Sequence, residues 1–281
     1  MQKRRILPNI IIGIAAVVAV FPIVFIFANS FMGGAEIVSR YSAEVMESNA
    51  GDFTSHGIHF VRFGLLPESF TLEQYQQLLL ESPGYLRMFW NSVLLVLPVL
   101  LGQCVLAPLA AYGLENIQWK YKEAIFFMYI IVMLMPTQIL LVPNFVALSA
   151  MGLIGSRLSV ILVCAFSPYY VYFMFRICRQ IPPEIFEAAR MEGAGELRIY
   201  RSIAIPQMKS GIWLLVLIGS ADLWNMVEQP LVFIQTYSKY PLTIFLRGLD
   251  NGYAGSIVFS LPVMLLFLLC GRDTVEQIER I

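Results

Sequence analysis

The chain has 281 residues, of which 58% are hydrophobic and only 14% charged, and its mean hydropathy is +0.71. Soluble domains of this size carry far more charge, so the composition excludes one and points to a polytopic, all-α membrane protein. Nineteen basic residues balance nineteen acidic ones, so net charge gives no support to a nucleic-acid partner, and the informative quantity is where Lys and Arg fall.

Residues 10–28 form the first expected span, with Lys3, Arg4 and Arg5 ahead of it as in a start-transfer segment. The apolar run exceeds a typical signal core and no clear small-x-small cleavage site precedes the polar region, so a retained helix is expected. Residues 31–87 are polar and acidic, with Glu36, Glu44, Glu47, Asp52, Glu68, Glu73 and Glu81. His56 and His59 lie in this loop at a spacing a metal could use. They have no Cys partner and no clear third ligand, and they read as solvated loop histidines.

Four further spans are expected at 88–114, 124–147, 158–177 and 212–234, each near or above the ~20 residues that cross ~30 Å of hydrocarbon. The last, 253–270, is the shortest and contains Pro262. Prolines at 98, 108, 136, 143, 168 and 230 also fall in these runs, and each removes a backbone hydrogen bond and invites a kink. Six spans place both termini on one side. The N-terminus, the 114–123 loop, residues 176–210 and the C-terminal tail hold thirteen of the nineteen Lys and Arg. Both termini and residues 178–211 are therefore expected in the cytoplasm, and the 31–87 loop outside.

Residues 181–211 are the longest polar interruption in the C-terminal half. Pro182 and Pro183 can open a helix, because their missing N–H groups would be orphans in its first turn, and Glu184 and Glu187 suit the positive end of the dipole. Gly193 is a natural stop. Ala188 and Ala189 are expected to leave a bare patch for close packing by another protein, with Arg190 and Glu192 keeping the flank soluble. A second short helix is expected from Glu196 to Ala204, running into Pro206.

Glu187, Ala188, Ala189, Gly193, Ile203 and Ile205 with Pro206 reproduce the EAA---G---------I-LP signature, with Ile205 in place of Leu. Ser69 to Leu72, Asn91 and Ser92, Ala110 to Tyr112, Trp224 and Asn225, Pro230 and Leu231, and Tyr240 to Thr243 extend the match in order. The chain thus resembles the MalG-type sugar permeases of binding-protein-dependent ATP-binding-cassette (ABC) importers over most of its length. The resemblance implies a single permease domain in a bacterial cytoplasmic membrane. It further implies a heterodimer with a second permease, an ATPase dimer and an extracytoplasmic solute-binding protein. On the same footing Glu187, Ala188, Ala189, Gly193, Ile203 and Pro206 form a coupling helix in a cleft of the ATPase. Members of the group commonly end in a G-x-K-G-like tail, whereas here Cys270 is followed by GRDTVEQIERI, so contacts of that tail are not carried over.

In the fifth span, Asp222, Asn225, Glu228 and Gln229 fall within a stripe about 120° wide if one helix carries them all. Asp222 would lie ~15 Å past Ile212, near the bilayer midplane. Carboxylates and amides beside an aromatic ring such as Trp224 suit a sugar, and the same stripe also suits packing against a partner subunit. Gln138 and Asn144 are weaker candidates of the same kind. A rival reading makes Asp222 and Glu228 a proton relay in a secondary transporter.

Cys104, Cys164, Cys178 and Cys270 have no paired spacing and read as small core hydrophobes. The sequence holds no phosphate-binding G-x-x-x-x-G-K-[ST], H-E-x-x-H or G-x-S-x-G, so no enzyme chemistry is expected, and ATP is expected to be used by a separate subunit.

Overall fold

The computed structural model describes residues 6–41, 64, 66–116, 120–246 and 252–278. The expectations for Lys3 to Arg5, for Glu44, Glu47 and Asp52, and for His56 and His59 fall outside them. Every regular element among the described residues is helical. By the clustering of its backbone the chain divides into two units, Met1–Leu86 with Leu246–Leu261, and Arg87–Phe245 with Pro262–Ile281.

The first unit opens with α1 (Ile6–Asn29), whose most apolar window has no buried residue. An apolar surface on every side needs a hydrocarbon environment. After α2 (Gly34–Tyr41), the short α3 (Glu73–Gln76) continues into a π-turn, Gln77–Glu81. Gln74 ties these pieces together. It is 1% exposed, and its Nε2 donates to the carbonyls of Asn29 at 2.9 Å and Met32 at 2.7 Å. Its Oε1 accepts the Ala254 N–H at 3.3 Å. A buried amide satisfied on both ends fixes three chain segments at once.

In the second unit, α4 (Pro83–Asn116) is the longest helix, at 34 residues. It is followed by α5 (Lys122–Leu134) and α6 (Thr137–Ala150), which are bent 99° from each other. The third span expected at 124–147 is thus a broken pair, and the break falls at one of the prolines expected to invite a kink. Pro136 causes the break: it has no N–H to donate, and it pushes Met135 into extended backbone at φ −71°, ψ 130°. Neither half, at ~20 Å, crosses a bilayer alone.

Next, α7 (Arg157–Ala165) and α8 (Pro168–Cys178) together form one apolar segment of 22 residues. The knuckle helix α9 (Pro183–Met191) is followed by α10 (Glu196–Ile199), a π-turn at Tyr200–Ala204, and α11 (Ile205–Gln207). Pro206 does not stop this segment as expected. The π-turn absorbs it: Ile205 donates its N–H five residues back to Tyr200, and the direction changes only at Met208, by 68°.

The chain continues as α12 (Lys209–Trp224), α13 (Glu228–Phe233), α14 (Leu242–Leu246) and α15 (Gly252–Ile278). The fifth expected span, 212–234, is interrupted as well, because helix stops at Trp224 and restarts at Glu228. Pro230 would leave the Met226 carbonyl without its i+4 donor, and its ring would clash with that carbonyl in a continuous helix. Thr243 Oγ1 donates to the Met226 carbonyl at 3.0 Å instead.

Leu95, Leu148, Val160, Met226, Phe233 and Ile234 form the core around this break. Asn91 and Ser92 brace it: Asn91 Nδ2 donates to the carbonyls of Ser238 and Tyr240, and Ser92 Oγ accepts the Leu242 N–H.

Among the described residues, three helical segments are long and apolar enough to cross a membrane, Ile10–Asn29, Pro83–Asn116 and Arg157–Cys178. The two bent pairs pass the same test, and Tyr253–Leu269 is a shorter apolar helix.

Candidate functional site

The knuckle starts at Pro182 (φ −56°, ψ 127°), with Pro183 in the first helical position and Glu184 in the first turn. Its C-terminus is a Schellman motif: Ala194 N–H reaches the Ala189 carbonyl at 3.0 Å and Gly193 N–H reaches that of Arg190 at 3.0 Å. Gly193 has φ +82°, the left-handed conformation that only glycine adopts freely.

The two alanines have different roles. Ala189 and Phe186 are buried in the chain's own core, whereas Glu187 and Ala188 are exposed. The expected bare patch of two alanines is therefore corrected to one, since residues 186 and 189 share the inner face and 187 and 188 do not. Met191, 89% exposed, lies beyond them at the helix end. Of the remaining signature residues, Ile203 is half-buried in the π-turn and Pro206 is exposed.

Charged groups cross the glycine turn. Arg190 Nε donates to Glu196 Oε1 at 2.7 Å, and its Nη2 donates to Asn116 Oδ1 at 2.7 Å. Tyr112 donates its hydroxyl to Glu196 Oε2 at 2.7 Å. The Tyr112 ring sits edge-on to Phe186 (centroids 5.8 Å) and tilted against Tyr200 (5.3 Å). Hydrogen bonds from Arg190 and then Tyr112 hold the Glu196 carboxyl below the usual carboxylate range, and the bond to Glu196 raises the Arg190 guanidinium. Asn116 and Glu196 carried no signal of their own in the sequence, and Arg190 reads there as a solubilising flank. The usable hint was Tyr112, already part of the motif match.

The expected substrate-path residues do not share a helix. Asp222 and Trp224 are on the last turn of α12, Asn225 closes it, and Glu228 and Gln229 open α13. The break voids the premise of a single 120° stripe. Asp222, Asn225 and Glu228 are exposed and Gln229 is half-buried. Asn225 Nδ2 turns back to the Ala221 carbonyl at 2.8 Å, and both oxygens of Glu228 accept from Gln138 Nε2, at 2.9 and 3.2 Å. Trp224 is buried with its ring 5.7 Å from that of Phe89 at 73°. Among the described residues, no group of three or more His, Cys, Asp or Glu is placed to hold a metal.

Residues 103–271, which include the whole knuckle and its Tyr112–Asn116 contacts, match the family described as the binding-protein-dependent transport system inner membrane component. The chain belongs to that family. It is thus a multi-pass membrane transport component and not an enzyme. Binding-protein-dependent transport leaves no place for the proton-relay reading, whose two carboxylates the break also separates.

Among relatives, the arabinooligosaccharides transport system permease protein AraQ of Bacillus subtilis is 28% identical over 210 residues, 72% of this chain and 75% of that one. The lactose transport system permease protein LacG of Rhizobium radiobacter is 25% identical over 196 residues, 67% and 72% of the two chains. In fold, the chain is similar to a solved bacterial ABC transporter involved in the import of the acidic polysaccharide alginate. The TM-score is 0.77 at 19% identity, covering 97% of this chain and 98% of that one.

Proposed function

We propose that this chain is one of two permease subunits of an ABC importer that brings a carbohydrate into the cell. The observation that carries the reading is the knuckle itself, a glycine-capped helix that exposes Glu187, Ala188 and Met191 together and buries only its opposite face. Exposed apolar and small residues beside a carboxylate suit a groove in another protein. The family's binding-protein dependence and relatives named for arabinooligosaccharide and lactose transport support a sugar cargo.

In this reading the chain crosses the membrane six times, using the three long segments, the bent pair of α5 and α6, the 212–234 stretch and the short apolar helix. The basic 176–210 segment lies in the cytoplasm, where ATP is available, and residues 31–87 lie outside facing a solute-binding protein. The ATPase dimer is the only user of ATP, and the permease holds no cofactor. ATP binding draws the two coupling helices together and shifts the population of the permease pair from inward-facing to outward-facing. Asp222, Asn225, Glu228 and Gln229 contribute polar groups to the sugar path or to the seam with the second permease, and Trp224 supports them from beneath.

The test is uptake by proteoliposomes holding the four-part complex. Uptake is expected to require ATP, to resist a protonophore, and to be lost in Glu187→Lys while that variant remains in the membrane. Protonophore-sensitive uptake without ATP, or normal uptake and ATPase binding in Glu187→Lys, contradicts the reading.

A further inference from the structure

The knuckle helix α9 is joined to its neighbours by short links. The stiff pair Pro182 and Pro183 leads into it, and residues 192–195 lead out through a glycine in the left-handed conformation. A force applied to α9 would be lost in the glycine turn unless something bridges it. Arg190 bridges that turn with one nitrogen on Glu196, and with another it holds Asn116 at the end of α4. Glu196 completes the loop, since its second oxygen accepts the Tyr112 hydroxyl, also on α4.

Asn116 is fixed in turn, its Nδ2 donating to the Tyr112 carbonyl at 3.0 Å. Beneath these polar contacts the Tyr112 ring packs on Phe186 of α9 and on Tyr200. The Arg190 and Glu196 side chains are 35% and 59% exposed, so this ion pair alone contributes little, and the direction is fixed by closing the bonds into a ring over an aromatic floor.

We propose that Arg190, Glu196, Tyr112 and Asn116 form a clamp that fixes the coupling knuckle to α4, so that α9 and α4 move as one body when the ATPase pulls. These four are positioning residues. The proposal rests on the reading of α9 as the coupling element and names the helix that receives its motion. A planar guanidinium is required, because the point charge of a lysine cannot meet Glu196 and Asn116 in two fixed directions.

The test uses the complete importer in nanodiscs, with Cys104, Cys164, Cys178 and Cys270 replaced by Ser and spin labels at Glu184→Cys on α9 and Leu109→Cys on α4. Both label positions are exposed. Distances are read without nucleotide and after trapping with MgATP and vanadate. In the parent, one narrow distance is expected in both states. Arg190→Glu and Glu196→Arg, singly, are expected to broaden it and to lower ATP-driven turnover about tenfold. The double swap is expected to restore the narrow distance, and Arg190→Lys is not.

Unaltered distances in both single variants overturn the proposal, as does a double swap that assembles with the ATPase but stays broad, which makes Arg190 a contact to the partner. If the swap does not assemble, Tyr112→Phe decides, because it deletes one atom and keeps the ring. Broadening there upholds the clamp, and a parent-like distance overturns it. Failure of the underlying reading looks different: Glu187→Lys, which removes none of the four clamp residues, would then leave ATP-driven turnover intact.

Discussion

A side chain at position 193 would have to hold φ +82°. No atom lies within 4 Å of the place its Cβ would take, so the cost of substitution there is backbone strain and not a clash. For a β-branched residue that strain is at least the ~1–2 kcal/mol of an ordinary left-handed residue. Ala189→Ser instead adds one oxygen on a buried helical face, where it can bond back to a carbonyl one turn earlier, at a cost of a few tenths to ~1 kcal/mol. Gly193→Val is therefore expected to reduce transport more than Ala189→Ser at equal expression, and the reverse order contradicts the Schellman geometry. Gly193 was legible because glycine is the residue that adopts positive φ at a helix end without strain. The division of labour between Ala188 and Ala189 was not, since two adjacent alanines look alike until the helix is turned against Phe186 and Tyr112.

At the scale of elements, proline chemistry decides where helices end. Pro136 and Pro230 break the chain, whereas Pro98, Pro108, Pro143 and Pro262 sit inside continuous helices. The difference at Pro230 is a replacement partner, Thr243, for the stranded carbonyl of Met226. Thr243→Val keeps the shape and deletes the donor, leaving a buried carbonyl unpaired at a cost of about 1–3 kcal/mol. The purified protein in detergent is expected to melt several degrees lower, and an unchanged midpoint contradicts this account of the break.

The runs of apolar residues coincide with the long helical segments Ile10–Asn29, Pro83–Asn116 and Arg157–Cys178, because the hydrocarbon thickness sets how long such a run must be. Pro136 marked the bend at Met135, but the full stop after Trp224 was hidden, because the helical wheel drawn for the fifth span assumes one continuous helix. That stop relies on Thr243, 17 residues along the chain from Met226, while Asn91 and Ser92 hold Ser238, Tyr240 and Leu242 from 147 to 150 residues away. Those same matches, scattered as single residues along the sequence, meet in space around one break.

For the whole molecule, the family match on 103–271 makes the chain a binding-protein-dependent transport component, and the sequence signature and the exposed face of α9 support the proposal that a separate ATPase works it from the cytoplasm. The clamp gives that account a route from the knuckle into the longest helix, and the bent pairs give it segments that need not move rigidly with their neighbours. The measurement that tests the account most directly is cross-linking in the assembled importer from a photoactivatable group attached at Ala188→Cys or at Ala189→Cys. The account predicts efficient cross-linking to the ATPase from position 188, which faces outward, and little from position 189, which is buried in this chain's own core. Cross-linking from 189 and not from 188, or from neither in a complex that hydrolyses ATP, would contradict it.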